Sequence, residues 1–237
     1  IDYAPVTINR YINVMKKLQK AIPDFYGKED ITFHELNSDF IATFDLFLKT
    51  EAGLCRNTIV RYMKCFKRIT NMALAKEWMR KDPFYGYKMA QDETDPVFLT
   101  YPELKSIMEK EFTIPRLALV RDIFVFAAFT GLAFANVSTL TKDNLVQDNN
   151  GDWWIRKGRV KLERRHRASS VCNIPLLPVP LAILKKYEEH PICRKKSLCL
   201  PVICNQRMNS YLKEIADLCN IRKNLTTHTA KHSKIYI

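Results

Sequence analysis

No stretch of this 237-residue chain approaches the roughly 18 consecutive apolar residues that a membrane-crossing helix needs; the longest run is Ile123 to Phe129. The opening residues, Ile1-Asp2-Tyr3-Ala4-Pro5, have no basic start followed by an apolar stretch, so they do not read as a secretion signal. The chain also does not begin with Met, and it reads as a fragment or a processed chain. Paired cysteines are missing as well. Seven cysteines lie between Cys55 and Cys219, an odd count with no C-x-x-C. Cys193, Cys199 and Cys204 lie near His190, but spacings of six and five fit no usual zinc pattern. The expectation is therefore reduced, partly buried thiols and no metal. Acidic residues are scarce. Against 25 Asp and Glu stand 38 Lys and Arg, a formal net charge of +13 and a pI near 9.4. Such a surplus points to a polyanionic partner. A membrane surface is not expected, because neither end carries a basic amphipathic helix with a bulky apolar face.

Hydrophobic residues make up 47% and charged residues 27%, the profile of a globular chain with a real core. The length suits one large domain or two small ones. Charge is unevenly placed. Residues 1–89 carry 15 basic and 10 acidic side chains, residues 98–237 carry 23 and 12, and residues 90–97 have a net charge of −3. An acidic, turn-prone strip between two basic regions predicts a linker at 90–97 between domains 1–89 and 98–237.

The first region reads as helical. Val6, Arg10, Val14, Leu18 and Ile22 recur near helical spacing before Pro23. Leu36, Phe40, Phe44, Phe47 and Leu48 predict a second helix, capped by Asn37 or Ser38. A third runs from Asn57-Thr58 to Trp78, with Ile59, Tyr62, Met63, Phe66, Ile69, Thr70 and Ala73 on one face. Arg56, Arg61, Lys64, Lys67 and Arg68 line the other. A solvated helix face is the bland reading of those basics. The donors Arg56, Asn57 and Thr58 at the helix start, in so basic a chain, favour contact with DNA. Beyond the linker, Thr100, Pro102 and Glu103 form a capping box with proline in the first turn. An apolar helix spans Leu117 to Phe129 and ends at Gly131. A short one follows from Ala133 to Leu140, then a Thr-capped turn at Thr141. Trp153-Trp154-Ile155 and Val171 to Leu177 read as two strands. Their hairpin holds seven basic residues in 156–167. Leu181–Glu189 and Met208–Cys219 are amphipathic helices.

Four groups of residues then occur in order. They are Phe129-Thr130-Gly131-Leu132-Ala133; the Trp153-Trp154-Ile155…Arg159-x-Lys161 hairpin returning through Asn173-Ile174-Pro175-Leu176-Leu177; Leu200-Pro201…Asn209-x-x-Leu212-Lys213; and Leu225-Thr226-Thr227-His228-Thr229-Ala230-Lys231-His232. The series resembles the catalytic domain of tyrosine site-specific recombinases, the phage-integrase family, and among them mobile-element integrases of the Bacteroides type. The helical region before it resembles the family's core-binding domain. The resemblance implies a mainly α fold with a small β-hairpin sheet (α+β): a SAM-like core-binding domain and an integrase-type catalytic domain, truncated at its C-terminus.

It further implies DNA cleavage by a tyrosine that leaves a 3′-phosphotyrosyl link, with no metal or cofactor. Charge building on the phosphoryl oxygens calls for guanidinium donors, and a general acid must protonate the leaving oxygen. Lys161 matches the hairpin lysine that serves as that acid, although Leu162 follows where the family has Thr. Arg159, Arg164, Arg165 and Arg167 then become phosphate contacts. His228 and Lys231 occupy a His-x-x-Arg motif. His228 exchanges a proton or binds a phosphate oxygen, while Lys231 cannot make the two-pronged contact of an arginine. Ala133 stands where the family has its first catalytic arginine. Arg121, twelve residues earlier on the apolar helix, either reaches the same pocket or is a plain helix-surface arginine. Tyr236 lies too close to Lys231 to be the usual nucleophile.

The partner implied is double-stranded DNA, held in a two-lobed clamp. A homo-oligomer on DNA would form through a missing C-terminal segment, and the location would be the bacterial cytoplasm and nucleoid. Two other readings stand beside this one. One is a non-catalytic DNA-binding remnant or regulator, favoured by Ala133 and Lys231. The other is a type IB topoisomerase relative, disfavoured by the Thr-Gly-Leu and His-Thr-Ala motifs.

Overall fold

The computed structural model describes residue 3, residues 5–158 and residues 171–233. The chain divides into two compact units, Ile1–Thr94 and Asp95–Ile237. The boundary falls inside the acidic strip.

The first unit is built on helices α1 (Pro5–Tyr26), α2 (Ser38–Lys49) and α3 (Arg56–Ala75). Asn37 opens α2, its Oδ1 accepting from Phe40 N at 2.9 Å. Phe40, Phe44, Phe66 and Phe84 are buried together, and Phe66 meets Phe44 and Phe84 edge-on at 5.7 and 5.6 Å. The aromatic spacing on α2 (Phe40, Phe44, Phe47) puts three rings on one stripe, and burying each contributes about 2–3 kcal/mol. Two helix ends differ from expectation. Helix α1 continues through Pro23 to Tyr26, because a proline in the last turn deprives only one carbonyl of its partner; Gly27 N donates to Pro23 O at 2.9 Å and closes the end. Helix α3 stops at Ala75 rather than Trp78. Glu77 adopts φ 61°, and Trp78 N turns back to Ala73 O. Val6, the first residue of that helical spacing, is exposed, whereas Val14 and Ile22 are buried.

The second unit contains α4 (Tyr101–Glu109), α5 (Pro115–Thr130), α6 (Phe134–Val137), strands β1 (Leu145–Gln147), β2 (Trp153–Gly158) and β3 (Val171–Pro175), then α7 (Pro178–Tyr187), α8 (Pro191–Lys196), α9 (Asn205–Leu218) and α10 (Thr227–His232). The α4 box forms as expected: Glu103 Oε2 accepts from Thr100 N at 2.7 Å and Oγ1 at 2.9 Å. Helix α5 is apolar on nearly all sides and lies at the centre of the core, packed by α4, α7, α9 and α10. Gly131, at φ 66°, ends it in the left-handed conformation that lacks a Cβ penalty. Helix α6 is shorter than the expected 133–140, because the Ser138 and Thr139 hydroxyls turn back onto Ala135 O. The strands form an antiparallel sheet in the order β1-β2-β3, with buried Ile155 facing Leu145 and Ile174. Strand β1 was not foreseen, and β3 ends at Pro175, before Leu177. The result is the expected class, mainly α with one small antiparallel sheet.

Candidate nucleic-acid interface

Helix α3 exposes Arg56, Arg61, Lys64 and Arg68, while the Lys67 ammonium lies 5.7 Å over the Phe84 ring, and most of these side chains already have partners. Arg56 Nε donates to Ala90 O at 3.1 Å and lies 3.5 Å from an Asp92 carboxylate oxygen. Asn57 grips the Asp92 backbone twice, at 3.0 and 2.9 Å. Lys64 Nζ donates to Gln91 Oε1 at 3.0 Å. Residues 90–92, assigned in sequence to a linker, are therefore a strap laid over the first half of the polar face. Farther along, Lys67 pairs loosely with Asp82 at 3.8 Å, and Arg68 donates to Tyr3 Oη at 3.0 Å. Arg61 is exposed and has no hydrogen-bond or ion-pair partner among the described residues.

The helix start also conditions a thiol. Thr58 Oγ1 lies 3.2 Å from Cys55 Sγ. Hydrogen bonds from the Thr58 side chain and backbone hold the exposed Cys55 thiol below its ordinary range.

In the second unit, Arg121 has a structural post. Its Nε meets Asp122 Oδ1 at 2.5 Å, and its Nη1 donates to Met108 O and Lys110 O, both at 2.9 Å. Three of its five N–H groups thus tie the end of α4 to α5. Asp122, buried, also accepts from Lys186 Nζ at 2.7 Å and Tyr187 Oη at 2.8 Å. Burial, and next the Asp122 carboxylate, raise the Tyr187 phenol above its ordinary range. The Arg121 side chain is largely buried, a brace between α4 and α5 rather than a helix-surface arginine.

Helix α10 is short but fastened at both ends. Thr226 Oγ1 accepts from Thr229 N, Thr227 N donates to Asn209 Oδ1 at 2.9 Å, and Thr227 Oγ1 donates to Asn205 Oδ1 at 2.8 Å. At the far end, Ser233 Oγ accepts from Leu99 N at 2.7 Å and donates to Thr229 O at 2.8 Å, both in the interior. Thr229 and Ala230 are buried, leaving His228, Lys231 and His232 exposed. Lys231 has no hydrogen-bond or ion-pair partner among the described residues. The His228 and His232 rings meet with Nε2 atoms 3.0 Å apart. Ala133 caps α6 with its backbone, its carbonyl accepting from Asn136 N and Val137 N, and its methyl group offers no donor for a phosphate. Lys161, Arg159, Arg164, Arg165 and Arg167, as well as Tyr236, lie outside the described residues.

Sequence reasoning missed Asn205, Asn209 as an anchor, Ser233 and His232. Asn209 belongs to the Asn209-x-x-Leu212-Lys213 motif, and its spacing of four from Asn205 puts both on one face of α9; no sequence signal marks Ser233. Among the described residues no group of three or more His, Cys, Asp or Glu is placed to hold a metal, and no helix is long and apolar enough to cross a membrane.

Residues 3–89 match the phage integrase SAM-like domain family. No curated protein matches the chain in sequence. Among solved structures the chain is similar to the XerH site-specific recombinase bound to palindromic difH substrate in a post-cleavage complex, with TM-score 0.68 and 16% identity over 96% of this chain and 67% of that one. It is similar to a lambda integrase dimer bound to a COC' core site, with TM-score 0.70 and 14% identity over 98% and 79% of the two chains. The Tn1549 transposon integrase in complex with a circular intermediate DNA gives TM-score 0.68 and 16% identity over 98% and 80%. At these identities the likeness is one of fold.

Proposed function

We propose that this chain, which carries a phage integrase SAM-like domain and the fold of the tyrosine recombinases, binds duplex DNA and belongs to a site-specific recombinase that integrates or excises a mobile element. The observation that carries the reading is the anchored α10. It holds His228 and Lys231 outward on a helix fixed by α9 and by Leu99, within a chain of net charge +13. The solved structures it is similar to are complexes with DNA. In this reading the exposed basic side chains of each unit contact backbone phosphates.

In this reading Lys161 protonates the leaving oxygen, and His228 and Lys231 face the scissile phosphate. A tyrosine supplies the 3′-phosphotyrosine link. Ala133 removes one donor at the transition state, and Lys231 offers a point charge where a guanidinium would offer a fork. Losing one well-placed donor of this kind typically costs roughly 10²–10³ in rate. Strand cleavage is accordingly weak or absent, and DNA binding persists. Ala133 equally favours the second reading, a non-catalytic DNA-binding protein derived from an integrase. Arg56, Asn57, Thr58, Arg61, Lys64, Lys67 and Arg68 supply the contacts of the first unit.

Titration of fluorescent duplex DNA at several salt concentrations tests the proposal. Each neutralised phosphate steepens the plot of log affinity against log salt by about 0.9. A slope of several units is expected. Affinity that is absent at low salt, or indifferent to salt, overturns it.

A further inference from the structure

We propose that His228 and His232 form a two-ligand site for a borderline divalent cation, of the class of Ni²⁺, Zn²⁺ and Cu²⁺, on the exposed side of α10. The two residues are one helical turn apart, both are exposed, and their Nε2 atoms are 3.0 Å apart with ring centroids at 4.5 Å. Without an ion, two imidazoles in this contact share one proton: one ring donates from Nε2–H and the other accepts on its Nε2 lone pair. The separation also suits a metal. Imidazole nitrogen binds such ions at about 2.0–2.1 Å, and two bonds of that length at a right angle put the nitrogens ~3.0 Å apart.

Binding needs no outside reactant. The donor ring's proton moves from Nε2 to Nδ1, both Nε2 lone pairs turn to the ion, and the ion releases two waters. A neutral pair therefore loses no proton in the exchange. The backbone beneath them is already fixed by Thr226, Asn205, Asn209 and Ser233, so little order has to be imposed on binding. The surroundings choose the class of ion. Lys231 and the positive chain oppose any cation held by charge alone. A nitrogen lone pair binds Ni²⁺, Cu²⁺ or Zn²⁺ by a coordinate bond, whereas Mg²⁺ and Ca²⁺ prefer oxygen. The site stands on the geometry of α10 and does not depend on the recombinase reading.

The test is calorimetric titration of the tag-free chain with Ni²⁺ near neutral pH, for wild type, His228→Ala and His232→Ala, with Mg²⁺ as control and circular dichroism to verify folding. One Ni²⁺ per chain is expected, with each substitution weakening it about 100-fold, the scale on which a tethered second contact exceeds a single one. His232→Gln repeats the measurement should the alanine variant fail to fold. The seven cysteines are controlled with Co²⁺, whose thiolate complexes absorb strongly in the near ultraviolet. Binding that survives both histidine substitutions, a thiolate absorption, equal binding of Mg²⁺, or no binding by wild type would each overturn the site.

Discussion

Asn57 holds the backbone of Asp92 from both sides: its Nδ2 donates to Asp92 O at 3.0 Å, and its Oδ1 accepts from Asp92 N at 2.9 Å. This reciprocal pair lays the strap of residues 90–92 on α3, where Asp92 and Gln91 occupy Arg56 and Lys64. A DNA backbone that uses those side chains has to share or displace the strap. Asp92→Ala keeps the backbone pair and removes the carboxylate, so duplex affinity at low salt should rise a few-fold. Arg61→Ala, at a position with no such competitor, should lower affinity for all sequences and reduce the salt slope by about 1. Anisotropy titrations measure both, and an unchanged slope in the Arg61 variant would remove α3 from the interface.

The thiols give a pH-dependent probe of the same helix. Cys55 is exposed and its pKa lowered by its bonds to Thr58, so it carries thiolate at a lower pH than an ordinary cysteine. Burial pushes Cys199 up to about 11, so it stays protonated through neutral pH. Alkylation near pH 7 should therefore mark Cys55 early and leave Cys199 unmodified until the protein unfolds. The Cys55 rate should level off at a lower pH than that of an ordinary exposed thiol. Peptide mapping by mass spectrometry reads both sites, and faster labelling of Cys199 would contradict the arrangement.

Asp122 joins Arg121, Lys186 and Tyr187 in the interior of the second unit. Asp122→Ala leaves a buried phenol without its acceptor and removes one of three acceptors from a partly buried guanidinium. Breaking a buried pair from one side costs about 3–5 kcal/mol. The low end applies here, because Lys186 is half exposed and water can solvate its ammonium. A loss of about 3 kcal/mol corresponds to a fall in Tm of roughly 6–12 °C for a chain of this size. Thermal unfolding of the variant checks the figure. Arg121→Ala should likewise lower stability, and if it lowered only DNA affinity, Arg121 would belong to the phosphate site after all.

How much of this was legible depended on the range of the interaction. The α5 helix was readable from Leu117 to Phe129 and from Gly131, because apolar content and a terminating glycine act within one element. The Thr100–Glu103 box and the Asn37 cap were readable for the same reason. Strand β1 was not, since three residues, Leu145–Gln147, are too few to establish an alternation. The spacing of Arg121 from Ala133 fixes a helix sector, but its partners Met108 and Lys110 come from the preceding element, which that spacing does not register. Nor could the pattern of α3 reveal that Ala90–Asp92 folds back over it. The residues of the His-Thr-Ala motif were visible, but the polar anchors that hold them were not.

Those anchors set the order of α10. Thr227 N has no partner within α10, as for any first-turn amide, and Asn209 Oδ1 supplies one from α9. Ser233 does the same for Leu99 N at the opposite end, in the interior. A six-residue helix has little cohesion of its own, so its order rests on these contacts and on buried Thr229 and Ala230. Asn209→Ala removes one bond and should cost about 1 kcal/mol; Ser233→Ala leaves the Leu99 amide buried without an acceptor and should cost about 1–3 kcal/mol. Both should speed hydrogen exchange in α10 while α5 keeps its protection, since local opening precedes global unfolding. Asn209→Asp retains an oxygen at the same place and should restore protection. Equal acceleration in α5 and α10 would mean that the two helices open as one unit, and that His228 and Lys231 owe their position to the core rather than to these bonds.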